Sequence, residues 1–148
     1  GEEGSHVSMV YCDIDHFKAI NDTHGHAAGD RVIQEFADLL ATEMRAEDIA
    51  GRIGGEEFAI LLPDADIEGA RAFAERVRRN LEARRFETLA GRPRVTASFG
   101  IATRRAGEYL HELTRRADKM LYEAKGGGRN CVYPPGDNVL DFPSQAKA

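Results

Sequence analysis

Four carboxylates sit where short apolar runs end. Glu56 and Glu57 follow the Gly54-Gly55 pair, between the runs 49–53 and 59–63, and Asp13 and Asp15 close the run 7–12. Two short apolar runs joined by Gly-Gly predict a β-hairpin whose central residues take φ > 0. Glycine adopts that conformation without a Cβ clash and lets a ligand approach the backbone. Read alone, Glu56 and Glu57 belong to a solvated turn, because exposed carboxylates are the rule. The second acidic pair changes this. The run 7–12 has the length and apolar character of a buried strand. Carboxylates at its end, beside the hairpin, would repel strongly at low dielectric. A divalent cation relieves that repulsion. A few hard oxygen ligands, with positions left for phosphate, suit Mg²⁺. Two such ions would clamp the attacking and leaving oxygens of a phosphoryl transfer.

The segment Gly54-Gly55-Glu56-Glu57-Phe58 resembles the signature of GGDEF domains, the diguanylate cyclases, in the variant with Glu in third place. The resemblance extends to Asp13-Ile14-Asp15-His16-Phe17-Lys18-Ala19-Ile20-Asn21-Asp22, to Gly25-His26-Ala27-Ala28-Gly29-Asp30 and to Ala124-Lys125-Gly126-Gly127-Gly128-Arg129-Asn130, and it covers residues 7 to 133. It implies condensation of two GTP molecules to cyclic di-GMP with release of pyrophosphate. It implies two Mg²⁺ or Mn²⁺ ions per active site, on Asp13, Glu57 and the Ile14 carbonyl. Glu56 is then either a further metal ligand or the catalytic group that takes the 3′-hydroxyl proton. Asn21 and Asp30 are implied on guanine, and Lys18, Lys125 and Arg129 on the β- and γ-phosphates. Phe17, Gly54 and Gly55 complete the implied substrate site. Arg45-x-x-Asp48, with five residues between Asp48 and Gly54, matches the family's inhibitory site for cyclic di-GMP, with Arg76 as a further cation.

Each residue also has a plainer local reading. Asp30 precedes an amphipathic pattern and could cap a helix. Asn21 could be a turn residue. Lys18, Lys125 and Arg129 are ordinary surface bases when taken singly. Arg45 and Asp48 could be an i,i+3 ion pair at a helix end, worth about 0.3–0.5 kcal/mol. Two other functions compete with an active cyclase: a non-catalytic receptor for GTP or cyclic di-GMP, and a palm enzyme acting on ATP. The intact Glu56 and Glu57 argue against the first. Asn21 and Asp30 argue against the second, because an Asp acceptor would face the bare N1 of adenine.

The elements that must position these groups follow in order. A short helix is expected over 17–23, with Gly25 and Gly29 breaking the chain after it. Val32, Ile33, Phe36, Leu39, Leu40 and Met44 share one helical face, and 45–48 closes that helix. A further helix carries Ala70, Phe73, Ala74, Val77 and Leu81. Strands are expected over 85–90 and 94–104, joined by 91–93. A last helix carries Leu113, Ala117 and Leu121 and stops at Gly126-Gly127-Gly128, before a closing strand over 130–133. The hairpin makes at least one strand pair antiparallel, so a mixed sheet with packed helices is expected. The resemblance sharpens this to a nucleotidyl-cyclase-like, palm-type α+β domain.

The 148 residues suit one domain at 7–133, with a loose leader at 1–6 and a polar, poorly ordered tail at 134–148. No run approaches the roughly 20 apolar residues of a membrane span, so no membrane contact within this chain is expected. A net charge of −5 excludes a general nucleic-acid binder, and any phosphate must meet a local basic cluster. Cys12 and Cys131 form neither a disulfide framework nor a zinc spacing, which fits a cytoplasmic location. The family's upstream Asp-x-Leu-Thr-like segment is not in this sequence. The chain is therefore expected to be a piece of a longer protein with an upstream regulatory or dimerising part. Catalysis is expected to need a homodimer, because the product joins two GTPs symmetrically.

Overall fold

The structure is a computed structural model and describes residues 5–87, 89–91 and 93–136. Most of the expected leader and tail, 1–4 and 137–148, lies outside the described residues. Those residues form β1 (Val7–Ile14), α1 (Phe17–His24), α2 (His26–Glu43), β2 (Ile49–Arg52), β3 (Glu57–Pro63), α3 (Ile67–Ala83), β4 (Ala97–Thr103), α4 (Leu110–Gly126) and β5 (Val132–Tyr133). The strands make one sheet in the order β2-β3-β1-β4-β5. All neighbours are antiparallel except β4 and β5, which are parallel. This is the expected mixed α+β sheet.

The apolar run of β1 reflects its place in the middle of the sheet, covered on both faces. Val10, Cys12 and Ile14 pack with Val32, Phe36 and Phe73 of α2 and α3. Met9 joins Ala102, Leu113 and Ala117 under α4 on the opposite face. Side chains alternate along a strand, so Asp13 emerges on the α4 face with Met9 and Tyr11. Glu57 is paired opposite Asp13 and emerges there too. Phe36 and Phe58 meet edge to face at 5.4 Å, which fixes the start of β3 against α2. Such a pair contributes about 0.5–1.5 kcal/mol beyond its buried area. Gly100 brings α4 onto β4: a Cβ there would lie 2.1 Å from the Leu121 nitrogen and 2.3 Å from the Ala117 oxygen.

Several expectations fail for local reasons. Among the described residues of 85–90 no strand forms. Phe86 and Leu89 are both buried, and Leu89 N donates to Phe86 O at 3.0 Å, so two anchors three residues apart pin a turn. Thr88 and Arg92, within the segments in question, lie outside the described residues. The strand expected over 94–104 is shorter, because pairing with β1 ends at Ala97 opposite Ile14. Gly25, at φ 92°, breaks the chain, but Gly29 lies inside α2. Asp30 is therefore the fifth residue of a helix capped at Gly25 and is no N-cap. Asn21 lies within α1, which removes its turn reading. Neither Gly54 nor Gly55 has positive φ. The hairpin loop spans 53–56, and Ile53 N and Gly54 N both approach Glu57 O, at 2.8 and 3.4 Å. A loop longer than two residues escapes the primed-turn requirement. Finally, α2 ends at Glu43, so 45–48 is a separate turn closed by Asp48 N to Arg45 O at 3.1 Å.

Candidate active site

Asp13 is buried at the end of β1. Its Oδ2 accepts from Lys125 Nζ, at the last turn of α4, 112 residues away. Its Oδ1 is buried without a hydrogen-bond partner among the described residues. A buried, unsatisfied polar atom costs about 1–3 kcal/mol. Ile14 N donates to Glu56 O at 3.3 Å, which ties the signature turn to β1 beyond the ladder. Glu56 and Glu57 are half-buried, not fully exposed as a solvated turn would leave them. Burial, then the Asp13 charge, then Glu57 raise the Glu56 carboxyl above its ordinary range. Burial, then Asp13, raise Glu57, with Lys125 offsetting part of the rise. Three carboxylates thus share one lysine.

This cluster fits a hard divalent cation. Its donors are all oxygen, one buried oxygen lacks a partner, and the carboxylates repel one another. No three His, Cys, Asp or Glu side chains among the described residues are gathered tightly enough to cage an ion by themselves. The cluster is open rather than a closed cage.

Two supporting residues were not assigned a role from sequence. Arg52 donates to Gly54 O and Gly55 O, its shortest contact being Nη2 to Gly55 O at 2.7 Å, and so holds the glycine turn. A cation two residues before a glycine pair was the available signal. Asp15, one residue beyond β1, accepts from Ser98 Oγ at 2.6 Å, Thr96 Oγ1 at 2.7 Å and Asn130 N at 3.0 Å. No local pattern announces these partners. Asp15 thereby anchors the turn after α4, where Arg129 and Asn130 both take left-handed φ values of 63° and 47°. The exposed Arg129 guanidinium has no partner among the described residues, whereas the Asn130 side chain is fixed by Arg78 and Glu82.

The remaining candidates fall into two groups. Phe17 packs against the main core. Asn21 is half-buried and Asp30 exposed, and neither side chain has a hydrogen-bond partner among the described residues. Lys18 pairs with Asp22 at 2.9 Å in solvent and not with the acidic cluster. Arg45, Asp48 and Arg76 line a separate cavity of about 380 Å³, shared with His6, Asp64 and Phe73. The Asp48 side chain is only 1% exposed. Both of its oxygens accept from Arg45, Oδ1 at 2.6 Å from Nη2 and Oδ2 at 2.8 Å from the backbone N. Arg45 also donates to Pro63 O at 2.6 Å, and Arg76 is held by Glu43 at 2.8 Å.

Residues 1–131 match the family described as Diguanylate cyclase, GGDEF domain. The chain belongs to the GGDEF family. This GGDEF domain is 46% identical over 136 residues to Diguanylate cyclase VdcA of Vibrio cholerae, covering 88% of this chain and 40% of that protein. It is 45% identical over 132 residues to Response regulator PleD of Caulobacter vibrioides, covering 87% and 29%. It therefore spans less than half the length of these curated relatives. Among solved structures, the GGDEF domain of DgcB from Caulobacter crescentus in complex with c-di-GMP superposes with a TM-score of 0.83 at 36% identity, over 87% of this chain and 77% of that one. The active GGEEF domain of a diguanylate cyclase from Vibrio cholerae gives 0.81 at 34% identity, over 88% and 85%. No helix among the described residues is long and apolar enough to cross a membrane.

Proposed function

We propose that this GGDEF domain condenses two GTP molecules into cyclic di-GMP and two pyrophosphates, as one half of a two-fold homodimer. The observation that carries this reading is the contact of Lys125 with Asp13. It brings the cation of the glycine-rich turn to the signature carboxylates, as phosphoryl chemistry requires. Arg129, unpaired among the described residues and on an anchored backbone, is the second phosphate cation. Lys18 joins them only by leaving Asp22, an exposed pair worth about 0.2–1 kcal/mol. Asn21 and Asp30 hold guanine: Asp30 accepts from N1–H and the 2-amino group, and the Asn21 amide pairs with the O6 and N7 edge. Gly54, Gly55 and Phe17 border the nucleotide.

Asp13, Glu57 and the Ile14 carbonyl, with or without Glu56, would hold two Mg²⁺ or Mn²⁺ ions. When bound, the ions supply positive charge for the leaving pyrophosphate and acidify the 3′-hydroxyl. If it is not a ligand, Glu56 takes the 3′-hydroxyl proton. Two such sites must face each other for each 3′-hydroxyl to stand in line with the other α-phosphorus. Cyclic di-GMP would also bind at the Arg45 cavity as an inhibitor. There the Arg45 guanidinium, held by Asp48 and Pro63 O, offers its remaining Nη1 to phosphate or guanine, and Arg76 adds charge. The similarity to PleD, a response regulator, supports a regulatory partner upstream in a cytoplasmic protein.

Incubating an enforced dimer with GTP and Mg²⁺, then separating the nucleotides by chromatography, tests the reading. Cyclic di-GMP is expected, its formation abolished by Glu56→Gln or by excess chelator. Unchanged GTP, or full turnover in chelator, overturns it.

A further inference from the structure

Gly29 is buried inside α2 with no positive φ. A glycine inside a helix costs about 1 kcal/mol relative to alanine, and the residues just before it, Ala27 and Ala28, are good helix formers. Its backbone conformation does not demand glycine, so the demand must be for space. A Cβ on Gly29 would lie 1.8 Å from Asn21 Oδ1, 2.9 Å from Asn21 Cγ and 3.1 Å from Phe17 Cζ. The Asn21 amide occupies the notch that a side chain would fill. It is held there by shape, since it hydrogen-bonds nothing among the described residues. The next residue on α2 is Asp30, whose carboxylate is likewise unpartnered.

We infer that Gly29 is a specificity-positioning residue: its missing side chain seats the Asn21 amide beside Asp30, so that the two groups read one guanine together. This rests on the guanine assignment above. A methyl group at Gly29 meets the end of the Asn21 side chain, which can rotate away, and at 3.1 Å asks Phe17 Cζ to shift by only a few tenths of an ångström, so the amide yields and the fold does not. Substitution therefore separates recognition from stability. Helix propensity improves while the reading amide is displaced.

Calorimetric titration of Gly29→Ala, Asn21→Ala and the double variant with GTP and with ATP tests this, alongside thermal melting. Gly29→Ala is expected to bind GTP about tenfold more weakly, as one or two neutral hydrogen bonds are lost. Its ATP affinity should stay at the wild-type level and its melting temperature at or above it. In the Asn21→Ala background, adding Gly29→Ala should weaken GTP no further. Wild-type GTP affinity in Gly29→Ala, additive losses in the double variant, equal losses for GTP and ATP, or a lowered melting temperature each overturn the inference while leaving the guanine assignment standing. Unchanged GTP affinity in Asn21→Ala overturns the assignment itself, and the inference with it.

Discussion

Replacing Asp15 with alanine probes the support of the site rather than its chemistry. Asp15 is 6% exposed, and its carboxylate accepts three hydrogen bonds, from Thr96, Ser98 and Asn130. A hydrogen bond to a charged group contributes about 1.5–3 kcal/mol, but the three losses do not simply add. Asn130 N already lies 3.2 Å from Ser98 Oγ and can lean on it, and the half-buried Thr96 hydroxyl can turn to water. A net loss of about 2–4 kcal/mol follows, from one charged bond lost outright and others weakened. For a domain of this size that lowers the melting temperature by about 4–16 °C. A kinetic signature should accompany it. The left-handed conformation of Arg129 costs about 1–2 kcal/mol, that of Asn130 less, and Asp15 helps to offset them. Without it the turn relaxes and the Arg129 cation wanders. In an enforced dimer the KM for GTP should rise about tenfold with a smaller change in kcat, the same split as Arg129→Ala. Thermal melts and steady-state cyclic di-GMP formation read both effects. An Asp15→Ala domain that melts within about a degree of wild type, with unchanged KM, would refute the reasoning.

Glu57 stands directly opposite Asp13 in the β1–β3 register. Like charges so placed are destabilising, so Glu57→Gln should stabilise the isolated domain by about 0.2–1 kcal/mol in chelator while abolishing activity; a destabilised variant in urea titration would contradict this. Arg45→Ala should weaken cyclic di-GMP binding about tenfold to a hundredfold, for one charge-assisted contact. It should spare basal turnover, and equal affinity in calorimetry would place the ligand elsewhere. Two bonds from Arg116, at 2.7 and 2.8 Å, hold the Glu108 carboxyl down at about 2, below its ordinary 4.5. Because the folded value is depressed, this stabilisation is present above about pH 4.5 and is lost as pH falls toward 2. Glu108→Gln should flatten that acid limb in urea midpoints measured from pH 6 to 3; an unchanged limb would mean that other carboxyls set it.

Several features were legible because one physical cause dominates each. The unbroken apolar run of β1 marks a strand covered on both faces, and the 3.6-residue pattern from Val32 to Leu40 marks α2. The failures occur where one residue type serves opposite ends. Glycine breaks the chain at Gly25 but makes room at Gly29, and sequence cannot separate a need for φ from a need for space. Phe86 and Leu89 looked like strand residues, yet as isolated anchors they hold a turn. The meeting of Lys125 with Asp13, and of Asp15 with Asn130, joins residues more than a hundred positions apart. Periodicity and local spacing are blind to such pairs. The roles assigned to these residues came from the resemblance of motifs, not from any one residue read by itself.

Gly100 has a consequence for how this domain tolerates mutation. With α4 backbone atoms standing where its side chain would begin, the helix has no play against the sheet. Lys125 rides on the same helix, four residues beyond Leu121, so a methyl group at Gly100 would lift the cation away from Asp13. A complete substitution map scored by product formation should therefore rank Gly100 with the signature carboxylates. It would look like an active-site residue, although it touches nothing that reacts.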